Sequence, residues 1–294
     1  MASIQSKLFN ILLRLINKKK FLGKQLAGNK FYQFSHSKPT SIVFKNCHVH
    51  KFQVKGHNVF NLKPKNIDGS GKHIFYLHGG AYVQGFNKFH RQFLSWLVET
   101  TGCIITVPDY PLAPEHTHKE SFEMATVLYK QLLLTVNPDN LIFIGDSSGG
   151  GFALALAQKL RDEQIPQPSK IILLSPWLDI TLTNPEITRI ADNDPFLEVE
   201  SLRRAGNLYA GDARAEHHLL SPINGPLEGL GRISLFIGSK EILLADARKL
   251  KSIAEANAIE IDYHEYPGMM HAWMFLNLPE SKRARRQITE LIKG

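Results

Sequence analysis

The run IFIGDSSGGG, residues 142–151, decides how the rest of the chain is read. With Leu141 before it, a strand-like stretch, LIFI, runs into a glycine-rich turn and then into FALALAQKL, residues 152–160, which reads as a helix. Strand, sharp turn and helix is the setting in which Gly-x-Ser-x-Gly lifts a serine hydroxyl out of a strained bend. Such a bend tolerates only small neighbours two residues either side, and Gly145 and Gly149 supply them around Ser147. Centring the motif on Ser148 would need glycine where Asp146 stands. Ser147 is therefore the candidate nucleophile, and Ser148, the residue after it, offers its backbone N–H to an oxyanion. Gly150 and Gly151 lie outside the motif and are expected to permit close packing at the helix start. A phosphate-binding loop would require a Gly-Lys-Ser/Thr ending or Gly-x-Gly-x-x-Gly, and neither occurs here.

Outward from this turn, short β-branched and aromatic runs alternate with helical patterns. Residues 42–54 and 57–62 read as an antiparallel pair, followed by HIFYLHGG, CIITVPDY, LIFIGDSS, KIILLSPW, ISLFIGSK and IEIDYHEYP. Helical patterns fall at about 90–100, 120–136, 149–164, 243–258 and 281–293. This alternation predicts an α/β fold: one mostly parallel central sheet flanked by helices, its near-continuous apolar strands buried on both faces. Active-site groups belong in loops at the carboxyl ends of such strands. Residues 180–222 interrupt the alternation with a partly helical insertion, which together with residues 1–40 is expected to form a cap. No repeat or Pro- or Ser-rich linker offers a cut, so residues 1–294 are expected to be a single domain.

A serine nucleophile needs a base, an acid and oxyanion donors. HGGA, residues 78–81, directly follows a strand run, so Gly79, Gly80 and Ala81 are candidate donors beside Ser148. His271, in the loop after the last strand run, is the base that the order Ser, acid, His requires. After the preceding strand, FIGSKEILLAD offers Glu241 first and Asp246 second as the acid, Asp246 being suited also to capping the next helix. Metal ligands could be imagined in EHTH, residues 115–118, and in His217 with His218, but neither has a third ligand at convincing spacing. No metal and no cofactor is expected, since this chemistry needs none.

Of the 35 Lys and Arg, 13 lie in residues 1–67, where there is no Asp or Glu, so residues 68–294 carry 22 basic and all 27 acidic side chains. Neither zinc-ligand spacing nor an aromatic RNA-binding pattern accompanies the basic end, which argues against nucleic acid as a partner. Ile4, Leu8, Ile11, Leu12 and Leu15 recur at helical spacing opposite Lys7, Asn10, Arg14 and Lys18. This amphipathic helix either packs over the core or a pocket mouth, or docks peripherally on an anionic membrane through residues 1–20. No apolar run approaches the about 18–20 residues that span a bilayer. The apolar stretch near the start lacks a cleavage site and carries its lysines after it, so a cytoplasmic location is expected. Cys47 and Cys103, the only cysteines, are not expected to form a disulfide.

Six landmarks stand in order: HGGAYVQG, DYPLAPEH, GDSSGGG, SPWLD, EILLAD and PGMMHAW. Across residues 70–294 the chain resembles the hormone-sensitive-lipase-like carboxylesterases of the α/β-hydrolase fold. The resemblance implies hydrolysis of small esters with short or medium acyl chains by a lidded enzyme, with lactones on the substrate list. Members commonly have a third glycine where Ala81 stands, and often Asp where Glu241 stands. Amide or formamide cleavage by the same triad, or a non-catalytic binding role, are the competing readings, and a homodimer is left open.

Overall fold

The computed structural model describes residues 2–28, 47–65 and 71–294. Part of the expected first strand, residues 42–46, and part of the expected cap, residues 29–40, lie outside them. Eight strands form one sheet: β1 (Cys47–Val54), β2 (His57–Pro64), β3 (His73–Leu77), β4 (Ile104–Pro108), β5 (Leu141–Asp146), β6 (Lys170–Leu174), β7 (Arg232–Gly238) and β8 (Ile261–Tyr266), in the order β1-β2-β4-β3-β5-β6-β7-β8. β1, β2 and β4 pair antiparallel, and β4 through β8 run parallel.

Side chains of the parallel strands alternate between two cores, which is why these runs are apolar throughout. Phe75, Leu77, Phe143, Ile171, Leu173 and Leu235 face one side. That side is covered by α4 (His118–Leu132), α5 (Ser148–Asp162) and α8 (Leu244–Ala256). Ile74, Tyr76, Ile142, Ile144, Ile172 and Leu174 face the other, under α3 (Lys88–Thr101) and α9 (Pro279–Lys293).

The chain runs from β3 outward to β4 and then returns to lay β5 on the other side of β3. This reversal opens a crevice at the carboxyl ends of β3 and β5, where residues 78–81 and the GDSSG turn emerge side by side.

The insertion holds α6 (Glu186–Ala191) and α7 (Val199–Ala210), and the N-terminal segment holds α1 (Ile4–Leu15) and α2 (Phe21–Ala27). The two touch: Arg14 Nη2 donates to the Asn193 carbonyl at 2.9 Å, Lys19 Nζ to the Ala191 carbonyl at 2.6 Å, and Gly23 lies against Ser201.

The amphipathic helix forms where its periodicity predicts, yet its faces are reversed from a core-packing helix. Ser6, Asn10 and Leu13 are buried, whereas Ile4, Leu8, Ile11, Leu12 and Leu15 are exposed. The reason is a specific polar anchor. Ser3 N–H and Ser6 Oγ donate to the Glu280 carboxylate at 2.6 and 2.7 Å, and Asn10 Nδ2 donates to the Gly268 carbonyl at 3.3 Å.

Candidate active site

Ser147 caps β5 with φ 52° and ψ −123°, a backbone conformation that costs an L-residue about 1–3 kcal/mol. Main-chain bonds hold it there. Its N–H donates to the Leu174 carbonyl at 2.9 Å, while its carbonyl accepts from Trp177 at 2.8 Å and from Gly150 at 3.0 Å. A Cβ on Gly145 would overlap the Gly149 carbonyl, and one on Gly149 would overlap the Leu77 carbonyl, so both motif glycines are required by space. Gly151 is equally confined, against the Trp177 carbonyl, and Gly150 lies against Pro176. Although Ser147 occupies the N-cap of α5, its hydroxyl makes no cap bond, which leaves the oxygen free to face the histidine.

Ser147 Oγ lies 3.0 Å from His271 Nε2, and His271 Nδ1 lies 2.6 Å from Glu241 Oε2. Ser147 is 9 % exposed, His271 5 % and Glu241 0 %, so the series runs inward from a wet end to a dry one. The other Glu241 oxygen accepts from the Gly238 N–H and from Ser175 Oγ, both at 2.8 Å. The acid and histidine loops are laced together by Lys240 N–H to the Met269 carbonyl at 2.9 Å and Gly268 N–H to Ser239 Oγ at 2.7 Å. Burial alone would push the His271 imidazolium down, but the adjacent Glu241 charge and its hydrogen bond, with Asp194 and Asp146 further off, hold it above the usual histidine value. Asp246, the second candidate acid, is elsewhere: it opens α8 and accepts from Asn184 Nδ2 at 2.9 Å.

Residues 78–81 pass beside the serine turn. Gly80, Ala81 and Tyr82 all have positive φ, at 136°, 54° and 61°. Gly79, expected among the donors, has its N–H committed to Asp146 Oδ1 at 2.9 Å, which leaves Gly80, Ala81 and Ser148 as the candidate donors. Asp146 is a buried anchor for this whole corner. Tyr76 Oη donates to it at 2.6 Å, and His90 Nε2 lies 3.2 Å away. Burial would raise its carboxyl, but His90, Tyr76 and Gly79 together bring it below the ordinary aspartate value. His78 stacks on Tyr110 with centroids 4.4 Å apart, and burial lowers it to about 4, so this imidazole is neutral scaffolding.

The insertion and the N-terminal helices reach this corner. Tyr209 stacks in parallel on Tyr82, Phe196 lies 5.6 Å from the His271 ring, and Gln25 hydrogen-bonds Gln84. Among the described residues no group of three or more His, Cys, Asp or Glu is gathered as a metal site. His116 instead meets His57 edge-on, and His217 stacks on His218.

Residues 74–275 match the model of a family described as having the alpha/beta hydrolase fold. An esterase of Acinetobacter venetianus is 34% identical over 221 residues, covering 74% of this chain and 73% of that protein. An acetyl-hydrolase of Streptomyces hygroscopicus is 33% identical over 226 residues, covering 76% and 75%. The crystal structure of an esterase from the bacterial hormone-sensitive lipase family superposes with a TM-score of 0.84 at 28% identity, covering 100% of this chain and 99% of that one. The chain belongs to the hormone-sensitive-lipase-like esterases of the α/β-hydrolase fold.

Two groups of this esterase escaped sequence reading. Ser175, in SPWLD, supports the buried face of Glu241, and its Oγ lies 3.3 Å from the Ala272 N–H. Asp194, in the insertion, accepts from the Phe196 and Leu197 N–H groups at 2.7 and 2.9 Å and from the Ile242 N–H, next to Glu241, at 2.9 Å. Burial pushes its carboxyl up to about 6. An Asp two residues before Phe196 carries the pattern of a local Asx turn. Its reach to Ile242 is visible only once β7 and the insertion are brought together.

Proposed function

We propose that this chain is a serine carboxylesterase that hydrolyses small esters with short or medium acyl chains, lactones included, through an acyl-enzyme. The hydrogen-bonded series from Ser147 Oγ through His271 to Glu241, at 3.0 and 2.6 Å, carries the reading. His271 Nε2 takes the Ser147 proton as Oγ attacks the ester carbonyl. Negative charge develops on the carbonyl oxygen, where the N–H groups of Gly80, Ala81 and Ser148 act as donors. His271 then protonates the departing alcohol, and afterwards takes a proton from the water that releases the acid. Glu241 keeps the hydrogen on Nδ1, so that Nε2 stays an acceptor, and stabilises the imidazolium that forms.

The acyl preference is supported by the acetyl-hydrolase among the relatives and by Ala81, whose buried methyl group replaces a hydrogen beside the acyl position. Residues 2–28 and 180–222 act as the lid of a single domain, a reading supported by the contacts of Phe196 with His271, of Tyr209 with Tyr82 and of Gln25 with Gln84. The test is a panel of p-nitrophenyl esters from acetate to palmitate, with lactones and a matched amide, run on wild type and Ser147→Ala. Activity should peak among the short chains, vanish in the variant, and coincide with fluorophosphonate labelling of Ser147. Full activity in Ser147→Ala, or a higher kcat/KM for the amide, would overturn the proposal.

A further inference from the structure

The N-terminal helix presents an apolar stripe to solvent. At 100° per residue, Ile4, Leu8, Ile11, Leu12 and Leu15 fall within an arc of about 100°. Their exposures are 75, 60, 53, 49 and 78 %, and Phe21, at 45 %, extends the patch onto α2. Scattered exposed leucines are ordinary, but a continuous stripe along one helix marks a surface that meets an apolar partner. The stripe is held outward by the bonds of the opposite face, since Ser3, Ser6 and Asn10 are tied to Glu280 and to the Gly268 carbonyl. Rotating the helix to bury its leucines would break each of those bonds.

Charge identifies the partner. Residues 2–28 carry six Lys or Arg and no acidic residue. Lys7, Arg14, Lys20 and Lys24 are exposed, and Lys7 and Arg14 border one edge of the stripe. A second copy of the chain would bring identical cations face to face. A nucleic acid would meet the cations but leave the leucines in water. An anionic bilayer surface satisfies both, because headgroups pair with the cations while the side chains enter the acyl boundary. We infer that α1 and the start of α2 form a docking face for anionic membrane surfaces. The face also lies beside the serine site, with Lys18 Nζ 4.9 Å from the ring of Phe196, which in turn lies 5.6 Å from His271. Docking would therefore hold the site close to the lipid boundary.

The test is co-sedimentation of the full chain with sucrose-loaded vesicles of phosphatidylcholine alone and with about one-third phosphatidylglycerol. Wild type should bind the anionic vesicles and bind the neutral ones at least about tenfold more weakly. A Leu8→Gln, Ile11→Gln, Leu15→Gln variant keeps helix-forming residues and should lose binding to the anionic vesicles by about tenfold or more. A Lys7→Gln, Lys20→Gln, Lys24→Gln variant should lose the preference for the anionic lipid. Both variants replace only solvent-exposed side chains on the outer face of these helices, so both should hydrolyse dissolved p-nitrophenyl butyrate at the wild-type rate, which certifies their fold and separates this inference from the esterase reading. Wild type that stays in the supernatant, or a leucine variant that still sediments, would refute the inference. So would a concentration-dependent dimer of wild type that the leucine variant abolishes without any vesicle binding, which would assign the stripe to a second copy.

Discussion

Replacing Glu241 by glutamine exchanges one oxygen of a fully buried carboxylate for an NH2 group, and the surrounding hydrogen bonds dictate which oxygen is lost. One carboxylate oxygen already accepts from Gly238 N–H and Ser175 Oγ at 2.8 Å each, so the amide oxygen of glutamine must take that position. Its NH2 group then faces His271 Nδ1, where the carboxylate oxygen stood at 2.6 Å. An N–H facing Nδ1 forces that nitrogen to accept, which moves the imidazole hydrogen to Nε2, 3.0 Å from Ser147 Oγ. The base then holds a proton where it must receive one. The same carboxylate-to-amide change in triads of this kind costs about 10⁴-fold in kcat, or about 5.5 kcal/mol in the barrier. Glu241→Gln should show that loss with p-nitrophenyl butyrate while keeping a wild-type circular dichroism spectrum. Its pH profile should move as well. Wild-type activity requires neutral His271, whose value burial would lower but the Glu241 charge and hydrogen bond carry above the ordinary histidine range. With the charge gone and burial unchanged, the acid limb of kcat should shift to lower pH. A Glu241→Gln enzyme within about tenfold of wild type, with an unmoved acid limb, would show that Glu241 does not set the tautomer.

Three further outcomes are expected at the same corner of the molecule. Ser147→Gly and Ser147→Ala both remove the hydroxyl, but only glycine relaxes the φ of 52°, so the glycine variant should be more stable by about 1 kcal/mol in urea unfolding, and equal stabilities would contradict the strain. Gly149→Ala sets a methyl group against the Leu77 carbonyl, so it should cost about 3 kcal/mol or more and be recovered mostly insoluble; a normally folded, active variant would show that the elbow can widen. Asp194 has a folded value of about 6 against 3.8 when free, so the native state binds its proton more tightly; the stability of wild type relative to Asp194→Asn should fall as pH rises from 3.8 to about 6 and then level, and a flat difference across that window would dismiss the buried carboxylate as its source.

Local chemistry makes much of this protein legible without coordinates. The parallel strands read as unbroken apolar runs because both faces of the sheet are covered; β5 and β6 fall inside the segments their sequences mark, and β7 starts one residue earlier, at Arg232. The choice of Ser147 over Ser148 needs only the spacing of two glycines, since the space each must leave is set within a few residues. Asp194 escapes because its two nearer partners are local and ordinary, whereas the third, Ile242, is 48 residues away. Gly79 counts as a free donor in the sequence for a similar reason: its N–H is claimed by Asp146, from the neighbouring strand, at 2.9 Å.

Spacing along the chain is enough to establish the class of fold, the serine and the histidine that face each other, and the existence of an amphipathic helix at the start. Other features depend on groups that meet only when distant segments pack. Packing sets Glu241 rather than Asp246 against His271, five residues separating two carboxylates that end in different environments, one beneath the histidine and one bonded to Asn184. It also turns the leucines of α1 outward, because periodicity fixes that a helix has two faces, but only the partners waiting on the body, here Glu280 and the Gly268 carbonyl, select which face is buried.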